Sequence, residues 1–208
     1  MNIKRLIIGP IETNCYIIST AGSNSCIIID PGDDFEQIDR YLTSEKLIPD
    51  YIINTHGHYD HIMANNKLLD KYKNAILMVH KEDLTMLLNP KKNFSSITGR
   101  SFTSLEPKKL LHDNDTFTWK KFKFKIIHTP GHTKGGICIL VGQYLFSGDT
   151  LFRNSVGRTD LPGGSFEAII TNIKQKLLTL DENTIVFPGH GEKTTIKNCR
   201  EQACLFPT

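Results

Sequence analysis

Apolar and polar positions divide the start of the chain into short, strand-length runs. IKRLIIG, CYIIST and CIIID are rich in β-branched residues, are separated by PIETN and AGSNS, and end at Asp30-Pro31-Gly32, which predicts a meander of strands. In FEQIDRYLTSEK the apolar residues Phe35, Ile38, Tyr41 and Leu42 recur at helical spacing, with Asp33 or Asp34 as the N-cap. YIIN (51–54) reads as a buried strand, IMANNKLLDKYKN as a helix, AILMVH as a strand and KEDLTMLL as a short helix. From Asn89 to Pro107 the periodicity stops, and loops of that length are commonly lids or surface segments. Strands resume in TFTWKKFKFKIIHT and in GGICILVGQYLFSGD, the second folded into a hairpin at Gly142-Gln143. The helix SFEAIITNIKQKLLTL, a last strand in TIVFPGHG and a short helix in the tail complete the pattern.

Strands followed by a helix thus occur twice, with no Pro/Ser/Gly-rich linker between the halves. The hairpins demand antiparallel pairs, so an α+β fold, an αββα sandwich in one domain over residues 1–208, fits better than a doubly wound parallel sheet.

Composition changes this picture little. The 208 residues are 39% apolar and 23% charged, with a net charge of +3. The densest basic cluster, KKFKFK at 120–125, alternates Lys with Phe at a strand's period and reads as a strand with one wet face, so no nucleic-acid partner is expected. Cys15, Cys26, Cys138, Cys199 and Cys204 form no C-x-x-C pair and are odd in number, which reads as free thiols in a reducing compartment. No export signal and no apolar run of about 18 residues is present, so a cytoplasmic protein without membrane association is expected.

The chemistry is concentrated in THGHYDH, residues 55–61. On a helix His56, His58 and His61 would lie on different faces, and on a strand His61 would leave the other two, so the stretch is expected to be a turn between the YIIN strand and the next helix. TPGHT with His132, SGDT with Asp149 and PGHG with His190 share that placement, each directly after an apolar run and beside a glycine. His80, His112 and His128 are expected to be caps or surface residues, His128 also serving as a support behind the site. The set His56, His58, Asp60, His61, His132, Asp149 and His190 offers imidazole and carboxylate without thiolate, which suits zinc first, with iron or manganese as alternatives. Seven ligands exceed one tetrahedral ion, so the count points to two divalent ions sharing a carboxylate and to hydrolysis by a bridging hydroxide. No G-x-S-x-G turn and no phosphate-binding G-x-x-x-x-G-K-[ST] is present.

THGHYDH, TPGHT, SGDTLF and FPGHG in that order resemble the metallo-β-lactamase superfamily, and the DPG that ends the meander fits its opening. GRTDLPGG at 157–164 and PGHGEKTTI resemble the short, single-domain branch related to glyoxalase II, the hydroxyacylglutathione hydrolases. The resemblance implies that His56, His58 and His132 hold the first metal and Asp60, His61 and His190 the second. Asp149 would bridge them, and Asp60 would also orient the hydroxide or carry its proton. It further implies an αββα sandwich and a small-molecule thioester as substrate.

A persulfide dioxygenase of the same superfamily is the alternative, with one iron on His56, His132 and Asp149; a non-catalytic binding protein on the same fold is the remote one. β-Lactam cleavage is not expected, since those enzymes usually lack an aspartate at the position of Asp149. Arg158 and Asp160 could wall the site or simply pair with each other, and Lys193 and Arg200 read as solvated tail residues.

Overall fold

A computed structural model describes residues 1–202. Its contacts gather into two compact units, residues 1–79 with 83–110, and residues 80–82 with the described residues from Leu111 onward. Each contains a six-stranded sheet with helices.

In the first unit β1 (Asn2–Ile8), β2 (Thr13–Ser19) and β3 (Ser25–Ile29) form the antiparallel meander expected. Helix α1 (Phe35–Ser44) then carries the chain to β4 (Ile48–Ile53), which lies parallel to β3. The one-turn helix α2 (Tyr59–Ile62) and α3 (Asn65–Lys71) lead to β5 (Ile76–His80), parallel to β4. After α4 (Leu84–Leu87) comes β6 (Lys109–Leu111), giving the order β1-β2-β3-β4-β5-β6.

One face of this sheet presents Leu6, Ile8, Cys15, Ile17, Cys26, Ile28, Ile52, Leu77 and Val79, the alternate positions of neighbouring strands, and Ile38, Leu42 and Leu68 of the helices join the same cluster. The intervening Tyr16, Ile18, Ile27, Ile29 and Ile53 are buried too. Strands buried on both faces read as continuous apolar runs, which is why IIID and YII do not alternate.

The helix expected from Ile62 is split. Asp60 and His61 already stand on α2, and α3 begins at Asn65 after the chain passes Met63 and Ala64. Asn65 is buried and hydrogen-bonded to Asn54 and Ser104, so a polar contact fixes the helix start where side-chain periodicity is weak. Asp34 takes the N-cap position of α1 with φ 47°, but its carboxylate accepts from the Gly9 amide. The 89–107 segment is tied down: Asn93 Nδ2 donates to Phe102 O, Asn66 exchanges two hydrogen bonds with Thr103 and Leu105, and Arg100 pairs with Asp33 at 2.9 Å.

The second unit orders its strands β12-β11-β10-β9-β8-β7, from β7 (Thr116–Trp119) and β8 (Phe122–His128) to β9 (Ile137–Val141), β10 (Tyr144–Gly148), β11 (Ile185–Pro188) and β12 (Thr194–Thr195). All neighbours are antiparallel except β10 and β11, and β9 and β10 are the expected hairpin. Lys123 and Lys125 of β8 face solvent while Phe124 is buried. Helix α5 (Phe166–Asn172) starts at Ser165, whose hydroxyl accepts from the Ala168 amide, and runs into a π-helical stretch, Ile173–Leu177. Its Ile169, Ile173 and Leu177 pack with Ile127, Cys138, Leu145 and Val186, and with Ile196 and Cys199 of the tail helix α6 (Ile196–Gln202). Arg200 is exposed, as expected of a solvated tail residue, and its guanidinium also donates to the carbonyls of Leu178 and Leu180. Cys15, Cys26, Cys138 and Cys199 are free and buried; Cys204 lies outside the described residues.

Ile28 is fully buried in the first cluster. Truncation to alanine is expected to lower unfolding stability by about 2–5 kcal/mol, read from the midpoint shift in urea.

Candidate functional site

In the first unit β4 delivers the chain to Asn54, whose amide continues the sheet by donating to Met78 O. The Asn54 side chain then donates to the carbonyl of His61, closing the polar stretch back on its own start. Thr55 is held by Asp30, which accepts from the Thr55 amide and from its hydroxyl, each at 2.7 Å. The same carboxylate lies 3.0 Å from His61 Nδ1. That contact favours the tautomer with Nδ1 protonated and leaves the Nε2 lone pair for a ligand. His61 Nε2 is 3.3 Å from Asp60 Oδ2, which also accepts from Thr13 Oγ1.

Two glycines make this backbone possible. A Cβ on Gly32 would sit 1.6 Å from the Asp60 carbonyl, and one on Gly57 would sit 2.6 Å from Met86 Cβ. The Gly57 amide donates to the buried carboxylate of Asp83, which holds the turn between His56 and His58. His58 is extended, φ −69° and ψ 147°, and its carbonyl accepts from His61 N as α2 begins. The turn expected for THGHYDH is therefore irregular through His58 and helical from Tyr59.

The outcome is a tight polar cluster on the first unit. The His56 ring stands 4.8 Å from His58 and 4.1 Å from His61, centre to centre. Ligand atoms of His56 and His58, of His56 and His61, and of Asp60 and His61 lie within 4.8 Å of one another. All three imidazoles are buried.

In the second unit His132 leaves the TPGHT turn with Nδ1 2.8 Å from the carbonyl of Arg158, so Nδ1–H donates there and Nε2 is again the free lone pair. Asp149 follows β10 and His190 follows β11. Because these strands run parallel their carboxyl ends adjoin, and Gly189 N donates to Gly148 O. Asp149 Oδ2 lies 3.6 Å from His132 Nε2 and 3.7 Å from His190 Nε2. A Cβ on Gly157 would sit 1.8 Å from the Asp149 carbonyl, which brings the GRTD loop against this corner.

Buried imidazole nitrogens and carboxylate oxygens at such spacing are a donor set for divalent metal, and the absence of thiolate agrees with zinc, iron or manganese. The structure gathers the expected residues as His56, His58, Asp60 and His61 within one unit and His132, Asp149 and His190 within the other.

Asp30, Asp83 and the Arg158 carbonyl are the supports that sequence reasoning missed. Asp30 stood in the DPG read only as a stop, and a backbone carbonyl leaves no mark in a residue pattern. The Arg158 side chain itself forms a two-pronged ion pair with Asp160, holding that carboxyl down at about 2, so the pair stiffens its own loop.

His80, His112 and His128 form a separate group in the second unit. His80 is buried, not a surface residue, and stacks on His128 at 3.9 Å and 17°, with His112 at 6.5 Å. His128 Nε2 donates to the carbonyl of Lys134, two residues beyond His132.

A family model described as "Metallo-beta-lactamase superfamily" matches residues 8–190. The probable metallo-hydrolase YqgX of Bacillus subtilis is 33% identical over 97% of this chain and 96% of its own length. The hydroxyacylglutathione hydrolase GloC of Haemophilus influenzae is 30% identical over 94% and 93%. Among solved structures, BLEG-1 B3 metallo-beta-lactamase is 36% identical with a TM-score of 0.93 over all of both chains. TTHA1623, in a di-iron-bound form, is 31% identical with a TM-score of 0.84 over 96% and 98%. These likenesses bear out the α+β fold class expected. Among the described residues, no helix is long and apolar enough to cross a membrane.

Burial, and then the neighbouring His128, His112 and Lys81, lower the His80 pKa from 6.5 to about 4, against a weaker opposing pull from Asp113. Between those values the unfolded chain binds a proton that the folded imidazole does not, so stability is complete above the unfolded pKa and falls as the pH drops. From about pH 7 to about pH 5 the parent is expected to lose about 2 kcal/mol more than His80→Phe does, read from urea unfolding at each pH.

Proposed function

The chain belongs to the metallo-beta-lactamase superfamily, and from that membership we propose that it is a dinuclear metal hydrolase that cleaves a small-molecule thioester of the hydroxyacylglutathione kind. His56, His58 and His132 hold one divalent ion in this reading, Asp60, His61 and His190 the other, and Asp149 serves both. Zinc is the first candidate, with iron or manganese as alternatives.

The observation that carries the reading is Asp149, one carboxylate oxygen of which faces the Nε2 atoms of both His132 and His190. The similarity to GloC favours the substrate class, and that to di-iron TTHA1623 favours two ions.

When bound, such ions polarise the substrate carbonyl and bring the pKa of a water toward about 7. The chain's own part is to hold and orient. Asp30 and the Arg158 carbonyl fix two imidazoles with Nε2 presented, and the burial of His56, His58 and His61 keeps bulk water from them. Asp60, which accepts from Thr13 Oγ1, would in this reading hold the proton of the attacking water.

A thiol nucleophile is disfavoured. Burial pushes the Cys26 thiol up to about 12 and that of Cys138 to about 11, and raises Cys15 and Cys199 as well. The likeness to BLEG-1 supports β-lactam cleavage as a second reading.

Elemental analysis of the purified protein, followed by assays with lactoylglutathione, glutathione persulfide and a penicillin, tests the proposal. About two ions per chain with thioester cleavage is expected. One iron per chain with oxygen uptake on the persulfide would replace the hydrolase with a dioxygenase, and penicillin cleavage without thioester cleavage would favour the second reading. Asp149→Ala is expected to lower metal content and to cut kcat/KM at least about a hundredfold; unchanged activity would remove Asp149 from its shared role.

A further inference from the structure

Beside His190 the second unit carries an open groove of about 340 Å³, lined by the short stretches 152–155 and 190–192. The first is a built turn. Leu151 and Val156 pair across it, and the Phe152 amide donates to the Ser155 carbonyl at 2.9 Å, which places Arg153 and Asn154 at its two central positions. The half-buried Phe152 ring stands 6.5 Å from the His190 imidazole, so the groove has an apolar wall next to a proposed ligand. Gly191, with φ 71°, adds no side chain there, and the space a Cβ would take is open.

Among the described residues lining the groove Arg153 is the one arginine or lysine and Glu192 the one carboxylate, so an incoming carboxylate has to sit on the Arg153 side. Three other arginines are occupied: Arg100 with Asp33, Arg158 with Asp160, and Arg200 with two carbonyls. The Arg153 guanidinium makes no ion pair or hydrogen bond with any described residue, and it lies four positions beyond Asp149. A guanidinium is a rigid fork that matches a carboxylate by two parallel hydrogen bonds.

We propose that this groove takes the carboxylate-bearing end of the thioester substrate, with Arg153 determining specificity by pairing with that carboxylate while carbon atoms lie against Phe152. The proposal rests on the thioesterase reading given above and goes further by naming the residue that selects the substrate.

The test compares two thioesters of one acyl group, the neutral N-acetylcysteamine ester and the N-acetylcysteine ester, which adds a carboxylate. The parent is expected to favour the carboxylate ester in kcat/KM by about tenfold or more, the usual worth of a charge-assisted hydrogen bond. Arg153→Gln should bring the ratio of the two kcat/KM values close to one, and Arg153→Glu should push it below one. Arg40→Gln removes the same charge from α1 and should leave the ratio as it is in the parent.

A parent that cleaves both esters without preference, or whose ratio both Arg153 variants leave unmoved, overturns the specificity role and leaves the thioesterase standing. A metal-loaded parent that cleaves neither ester nor lactoylglutathione overturns the thioesterase reading, and this inference with it.

Discussion

Where β3 ends, the carboxylate of Asp30 takes hold of three groups in the segment that follows β4: the amide and hydroxyl of Thr55 and the Nδ1 of His61. A carboxylate buried this deeply is costly without partners, and here the partners are parts of the candidate metal-ligating turn itself. The contact exists because β3 and β4 are parallel neighbours, so their carboxyl ends arrive side by side although 25 residues separate Asp30 from Thr55. Asp30 adopts φ 53°, a conformation costly for a residue with a side chain, and the hydrogen bonds it makes there offset the strain.

The second unit repeats the principle with different atoms. Its parallel pair, β10 and β11, brings Asp149 and His190 together, and a carbonyl rather than a carboxylate fixes the third residue, His132. In the second unit the proton on His132 Nδ1 is directed to the Arg158 carbonyl, and in the first the Asp30 carboxylate stands 3.0 Å from His61 Nδ1 as a charge contact.

Close backbone approach is the second requirement. Gly32, Gly57 and Gly157 each stand where a Cβ would overlap a neighbour, and the neighbour belongs to Asp60, to Met86 or to Asp149. Any side chain at Gly32 or Gly157 would push away the backbone that carries a candidate ligand, Asp60 or Asp149. Arg100, Arg158 and Arg200 are likewise tied into the fold by side-chain contacts.

The seven candidate ligands, the glycine-bearing turns and most strands were legible in the residue pattern, because ligand chemistry and side-chain period are local properties. The split of the helix after THGHYDH was not, since Asn65 sets α3 through contacts with residues distant in sequence. Nor was the burial of His80, which depends on stacking against a histidine from another strand. Asp30 and Asp83 looked like ordinary acidic residues at a stop and in a short helix; only the adjoining strand ends and the packed turn give them partners. What the amino-acid order determined by itself was which atoms can bind metal and where the chain can turn. Which imidazole nitrogen faces the ligand position, and which carbonyl or carboxylate holds it there, was decided by parallel strand pairing and close packing, which join residues that no local pattern connects.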